Sequence, residues 1–218
     1  MITKVKICCI SNIEEAQTAI KFGASALGLV AKMPSGPGVI SDEEIKRIAD
    51  SLPPTIASFL LTSETDAKKI IQHQKSVGTN TIQIVDELKS GSYDEIKSAL
   101  PGIKIVQVIH VTGNESIKHA ISISKHVDAI LLDSGNPNLQ VKELGGTGRK
   151  HDWEISRKIR DSIPIPLFLA GGLNAENVQH AIQTVKPFGV DVCSGVRTNG
   201  KLDPVKLEQF MRVVHESN

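Results

Sequence analysis

Two short apolar runs in this 218-residue chain end in side chains that can move protons. "VKICC" closes on Cys8 and Cys9, and "DAILLD" closes on Asp133. A carboxylate that follows apolar residues is costly to bury unpaired, so Asp133 is expected to emerge where its strand ends. Strand side chains alternate in direction. Val5, Ile7 and Cys9 therefore share one face, and Lys6 and Cys8 share the other. The apolar triplet suits a layer packed on helices, which leaves Cys8 for the mouth of the fold. A thiol and a carboxylate facing each other can take a proton from carbon and deliver one to oxygen. Plainer readings exist for each: Cys8 as an inert buried thiol, Asp133 as the first residue of an Asp-Ser-Gly-Asn turn.

Three glycine-rich stretches follow. "ELGGTGRKHDW" places Gly145, Gly146 and Gly148 in a loop able to close near a ligand, with Asp152 as a cap for the next helix. "FLAGGLN" offers Gly171 and Gly172, and "VDVCSGV" offers Ser194 and Gly195. Small residues at such turns let backbone amides approach a phosphate. Cys193, which alternates away from Val192 and Ser194, is expected to pack.

Eight Val/Ile/Leu-rich runs must position these groups: Val5–Ile10, Ala26–Val30, Ile56–Leu61, Thr81–Val85, Ile103–Val111, Val127–Leu132, Pro166–Ala170 and Gly189–Cys193. Helical patterns alternate with them. "NIEEAQTAIKFG" has Asn12 as a cap, acids in its first turn and Gly23 as a stop. "SDEEIKRIADSLP", "TDAKKIIQHQKSVG", "SYDEIKSALP", "NESIKHAISISKH", "HDWEISRKIRDSI" and "NAENVQHAIQTVKP" follow the same grammar, and "DPVKLEQFMRVVHES" closes the chain. Eight strand–helix units predict an α/β fold, a (β/α)8 TIM barrel, with residues 1–218 as a single domain. An open doubly wound sheet is the alternative, but no G-x-G-x-x-G follows the first strand. In such barrels the active site sits at the C-terminal ends of the strands, and the loops after strands seven and eight often hold phosphate. The chemistry-bearing residues fall at those positions.

Composition narrows the partners. Net charge is +1 with no strong basic run, so nucleic acid is not expected as a partner. Aromatics make up 3%, too few for base-stacking platforms. Three cysteines without a C-x-x-C pair argue against a disulfide framework or structural zinc, and the seven histidines are scattered. Neither a signal peptide nor a membrane span is evident, so a reduced cytoplasmic protein is expected.

Together these motifs resemble the phosphoribosylanthranilate isomerase family of tryptophan biosynthesis nearly end to end. "KICCIS" is similar to the family's K-I-C-G-I-T, "FGASALGLV" to G-A-D-A-L-G-F, and "LLDS…GGTGRKHDW" to L-L-D…G-G-T-G-x-x-F-D-W. "LAGGLNAENV" and "VDVCSGV" resemble L-A-G-G-L-x-P-x-N-V and V-D-V-S-S-G-V. The resemblance implies an Amadori rearrangement that opens a phosphoribosylamine to a 1-amino-1-deoxyribulose 5-phosphate. Cys8 would be the general base at sugar C2′ and Asp133 the general acid at the ring oxygen. Gly146, Gly171, Gly172, Ser194 and Gly195 would hold substrate and phosphate, and Asp191 would lie near the substrate amine. No cofactor is implied. The partner is a small phosphosugar, and the chain would act as a monomer or homodimer.

The departures from the family lie on the aglycone side. Pro37, in "PSGPGVIS", falls where the family has an arginine that grips the anthranilate carboxylate. Val85 replaces a histidine, His151 a phenylalanine, and Arg197 stands where glutamate is usual. Lys32, Arg149, Lys150, His151 or Arg197 would have to supply a substitute cation, and His110 reaches the mouth from the fifth strand. Two other readings stay open: an isomerase of a different phosphoribosyl compound, and a non-catalytic phosphometabolite-binding barrel.

Overall fold

The computed structural model describes residues 2–135 and 152–218. Eight parallel strands close into a barrel in chain order: β1 (Lys4–Ile7), β2 (Ala26–Val30), β3 (Ala57–Thr62), β4 (Thr81–Ile84), β5 (Lys104–His110), β6 (Ala129–Asp133), β7 (Leu167–Leu169) and β8 (Gly189–Val192). Each predicted run overlaps one of them. The predicted (β/α)8 barrel is therefore the observed fold. Parallel pairing of β1 with β8, Lys6 opposite Asp191 and Ile7 opposite Val192, seals the ring.

The helices lie outside: α1 (Ile13–Lys21), α2 (Asp42–Ser51), α3 (Ala67–Val77), α4 (Tyr93–Ala99), α5 (Glu115–Ile123), α6 (Trp153–Ser162), α7 (Val178–Val185) and α8 (Pro204–Glu216). Local chemistry sets their starts. The side chains of Asn12, Ser41, Asp66, Ser92, Asp152 and Asp203 each accept a hydrogen bond from an N–H of the first turn. Two helices differ from expectation: at α5 Asn114 makes no side-chain cap bond, and α7 starts late. In "NAENVQHAIQTVKP" the Asn174 side chain accepts from the N–H groups of Glu176 and Asn177, which makes a separate turn and delays α7 to Val178.

Alternation sorts the apolar residues into two layers. Val5, Ile7, Leu27, Leu29 and Leu60 face the helices. Ala26, Val30, Phe59, Leu61, Val106, Val108 and Leu131 fill the barrel. Phe168 packs edge-on between Phe59 and Phe188 inside it, with ring centroids 5.9 and 5.4 Å apart. Lys6 joins this interior with no exposed surface.

Alternation fails for Cys9. The first strand stops at Ile7, and Cys9 adopts φ +62°, a left-handed conformation that L side chains seldom take. Its side chain therefore swings into the interior with Cys8 instead of packing toward the helices. Arg197 holds this turn: its Nη2 donates to the carbonyls of Cys8 (3.1 Å) and Cys9 (2.5 Å) and to Glu15 Oε2 (3.1 Å). Its Nη1 donates to Glu15 Oε1 and the Gly200 carbonyl.

Removing one partner of a nearly buried ion pair typically costs about 3 kcal/mol or more. Arg197→Met should therefore lower unfolding stability by about 3 kcal/mol in urea. Bonds from Arg197 and from the N–H groups of Leu202 and Ser11 outweigh the desolvation of Glu15 and hold its carboxyl below the usual glutamate range. The wild type's advantage over the variant should therefore be full at neutral pH. It should fade as the pH drops below that range, when the carboxyl is protonated.

Candidate active site

A cleft opens at the C-terminal ends of the strands. Cys8, Asp133, Gly171, Gly172, Asp191 and Ser194 all line it, so the structure brings together six residues that the sequence singles out. Gly195 does not line it. A Cβ there would lie 2.0 Å from the Leu173 carbonyl, so this glycine is required where the loop after β8 presses on the turn after β7. Gly146 lies outside the described residues, as do Arg149, Lys150 and His151.

The end of β1 supplies Cys8, whose N–H donates to the Val192 carbonyl at 2.8 Å. Just below it, Lys6 Nζ donates to Asp191 Oδ1 at 2.9 Å. Burial disfavours the Lys6 charge, but the Asp191 carboxylate more than offsets this and holds the ammonium above the ordinary lysine range. Lys6 Nζ and Cys8 Sγ both crowd Gly28, at 3.0 and 2.9 Å from where its Cβ would lie. A positive charge thus sits beside the sulfur.

Asp133 ends β6, opposite His110 on β5. It has no cation in hydrogen-bond contact among the described residues. Its Oδ1 accepts from the N–H and hydroxyl of Ser134, at 2.7 and 3.4 Å. Burial pushes its pKa up, against the opposing pull of that N–H and of His110. Burial of this kind favours the protonated form of the carboxyl.

The far rim is made of small residues. Gly171 and Gly172 turn with φ of +87° and +62°, values open to glycine. Asn177 fastens that turn: its Nδ2 donates to the Gly172 carbonyl at 2.9 Å, and its Oδ1 accepts from Asn174 N–H. Ser194 opens the short 3₁₀ helix Ser194–Val196 after β8.

Other expectations are corrected. Cys193 lines the cleft rather than packing away from it, because β8 ends at Val192 and the chain turns there. Arg197 offers no cation to a ligand, since Glu15 and three carbonyls engage it. Lys32 does not line the cleft, and no Lys or Arg does among the described residues. Pro37, Met33 and Val85 form an apolar wall instead. His110 contacts the Val85 carbonyl through Nε2 at 3.1 Å and faces a neighbouring groove with His119.

Two contributors escaped the sequence reading. Lys6 was assigned a face but no partner, because Asp191 lies 185 positions away. Gln83, on β4, is 3% exposed and lines the cleft, and its Oε1 has no hydrogen-bond partner among the described residues. Its signal was the inward register of a polar residue within an apolar strand.

A (β/α)8 barrel with a thiol, a buried carboxyl and two glycine-rich or serine-bearing turns at one mouth has the architecture of a barrel enzyme with its cleft at the strand ends. Comparison with known proteins narrows the class. The family model "N-(5'phosphoribosyl)anthranilate (PRA) isomerase" matches residues 5–213, and the chain belongs to this family of isomerases. The N-(5'-phosphoribosyl)anthranilate isomerase of Methanothrix thermoacetophila is 37% identical, over 97% of this chain and 98% of that one. One of the two such enzymes of Methanosarcina mazei is 35% identical over 95% and 92%. The crystal structure of the Thermotoga maritima enzyme superposes with a TM-score of 0.80 at 31% identity, covering 97% of this chain and 98% of that one. A further structure of phosphoribosyl anthranilate isomerase holds reduced 1-(o-carboxyphenylamino)-1-deoxyribulose 5-phosphate, with a TM-score of 0.77, 29% identity and coverage of 97% and 98%.

Burial raises the Asp133 pKa in the folded protein, so folding carries a penalty once the pH exceeds the ordinary aspartate range. Asp133→Asn should therefore raise Tm at neutral pH. The gain should vanish near pH 3, roughly where the unfolded carboxyl is itself protonated. Thermal melts of both proteins across pH check this.

Proposed function

We propose that the cleft carries out the aldose–ketose isomerisation of N-(5'-phosphoribosyl)anthranilate through Cys8 as general base and Asp133 as general acid. The observation that carries this reading is the shared cleft itself. It holds a thiol beside a buried ammonium, a carboxyl whose burial favours its protonated form, and a small-residue rim opposite. The phosphate rests on the Gly171–Gly172 turn and Ser194. Asp133 delivers its proton to the ring oxygen, and the sugar opens to an iminium. The Cys8 thiolate takes the proton from C2′, and the resulting enolamine becomes the ketone by proton transfers alone. No atom is gained or lost. Asp191, paired with Lys6, lies where a substrate amine would pass, and the free Oε1 of Gln83 accepts from a sugar hydroxyl.

The setting that fits this chemistry is the cytoplasm. The three cysteines are free thiols, and no described helix is long and apolar enough to cross a membrane. The substrate is a small phosphosugar, with neither nucleic acid nor membrane as partner and no cofactor, and the chain works as a monomer or homodimer.

Loss of a general acid or base typically removes a factor of 10² to 10⁴ in rate, roughly. Cys8→Ser and Asp133→Asn should each lower kcat at least about 100-fold while the fold persists. Turnover of substrate generated in situ, followed by its fluorescence, measures this. Full activity in folded Cys8→Ser would overturn the assignment of the base.

The apolar wall at Pro37 motivates a second expectation. A guanidinium that forks onto a carboxylate is worth about 1.5–3 kcal/mol. Pro37→Arg should therefore lower KM for phosphoribosylanthranilate at least about tenfold with kcat nearly unchanged, the mark of binding shared by ground and transition states. An unchanged KM would show that the aglycone carboxylate does not pass this wall.

A further inference from the structure

Cys9 and Cys193 do not enter the reaction described above, yet both reach its cleft. They stand 184 positions apart, and their Sγ atoms lie 2.8 Å from each other. A disulfide needs about 2.05 Å, so closure requires a movement of under 1 Å, approximately. The strands behind them are fixed partners: Ile7 pairs with Val192 across the β1–β8 seam. Two irregular features aim the sulfurs at each other. One is the left-handed backbone of Cys9, and the other is the turn that ends β8 at Val192. Where the resembling motifs carry glycine and serine, this chain carries a cysteine at both positions.

We propose that Cys9 and Cys193 form a reversible disulfide at the mouth of the cleft, an oxidation switch on the isomerase. Cys193 is the more exposed of the two, and its thiol is shifted toward the thiolate by its hydrogen bond to Cys9 and by the Arg197 charge. Its partner keeps its proton: contact with the sulfurs of Cys193 and Cys8, together with burial, pushes the Cys9 thiol up. This asymmetry orders the steps. The Cys193 thiolate attacks a peroxide oxygen, breaks the O–O bond and becomes a sulfenic acid, releasing hydroxide. Cys9 sulfur then attacks the Cys193 sulfur, and the hydroxyl leaves as water with the Cys9 proton. Two thiols are oxidised by two electrons, and one hydrogen peroxide is reduced to two waters. A small dithiol reverses the bond by thiol–disulfide exchange.

The bond would tie the turn carrying Cys8 to the loop carrying Ser194. Base and phosphate rim would then be held at a fixed distance, so oxidation should suppress turnover at least about tenfold, since sub-ångström misplacement of catalytic groups is costly.

The test treats the full-length reduced protein with stoichiometric hydrogen peroxide and maps its non-reduced peptides by mass. The expected product links the Cys9 and Cys193 peptides and leaves Cys8 free. It should form equally in Cys8→Ser and be absent from both Cys193→Ser and Cys9→Gly, the latter suited to the left-handed turn. Linkage through Cys8, or over-oxidised cysteines with no linkage, would overturn the proposal. This readout does not depend on the isomerase reading. The activity readout rests on that reading and uses the ratio of oxidised to dithiol-treated activity within each protein. The ratio should fall at least tenfold in wild type, roughly, and stay near one in Cys193→Ser. A linked protein of undiminished activity would leave the bond without its switching role and overturn that half of the proposal. If no reduced protein turned over substrate, the isomerase reading would fail while the mapped linkage stood.

Discussion

The ion pair of Lys6 and Asp191 sets the character of the whole barrel mouth. Lys6 is one of the largest fully buried side chains among the described residues, and it sits among aromatic and aliphatic residues with its Nζ 5.3 Å from the Phe59 ring centre. An ammonium in such surroundings costs several kcal/mol unless a counter-charge meets it. Asp191 meets it at 2.9 Å, directly across the β1–β8 seam. The pair therefore marks the level at which the hydrocarbon filling stops and the polar cleft begins. Below it the aromatic trio of Phe59, Phe168 and Phe188 packs the interior; above it lie Cys8, Asp133 and the small-residue rim of Gly171, Gly172 and Ser194.

From that level the division of labour between two carboxylates follows. Asp191 has an ammonium in contact. Among the described residues Asp133 has only the N–H and hydroxyl of Ser134, and the pull of His110 does not overcome its burial. Two acids a few strands apart in one cleft thus meet opposite environments, one ion-paired and one favouring its proton. Their arrangement also lets a charged Lys6 sit beside Cys8 without neutralising the acid.

Much of this was legible in the residues. Continuous apolar runs marked every strand, alternation put Lys6 and Cys8 on one face, and cap residues such as Asn12 and Asp152 found helix starts. The same rule misled where a strand had already ended. Cys9 and Cys193 lie one or two residues past β1 and β8, and beyond a strand's end the pleat no longer dictates direction. Pairings between distant positions were equally hidden. Arg197 looked available as a cation until Glu15 and the carbonyls of Cys8 and Cys9 claimed it. Charge alone does not reveal such a clamp, since its partners are mostly backbone oxygens.

The departures from the family pattern become intelligible once the elements are separated. Cys8, Asp133 and Asp191 stand on or directly after β1, β6 and β8, where barrel register fixes them, and a change there disturbs neighbours on both sides. Pro37 belongs to the segment between β2 and α2, and Val85 follows β4, so their replacements alter one wall and leave the interior pairs intact. Rigid strands beneath adaptable loops let a barrel keep its proton chemistry while its grip on the rest of the substrate changes. Cys9 and Cys193 occupy the boundary between these regimes. They are close enough to the strands for their sulfurs to meet, yet far enough past the strand ends for the backbone to turn them inward.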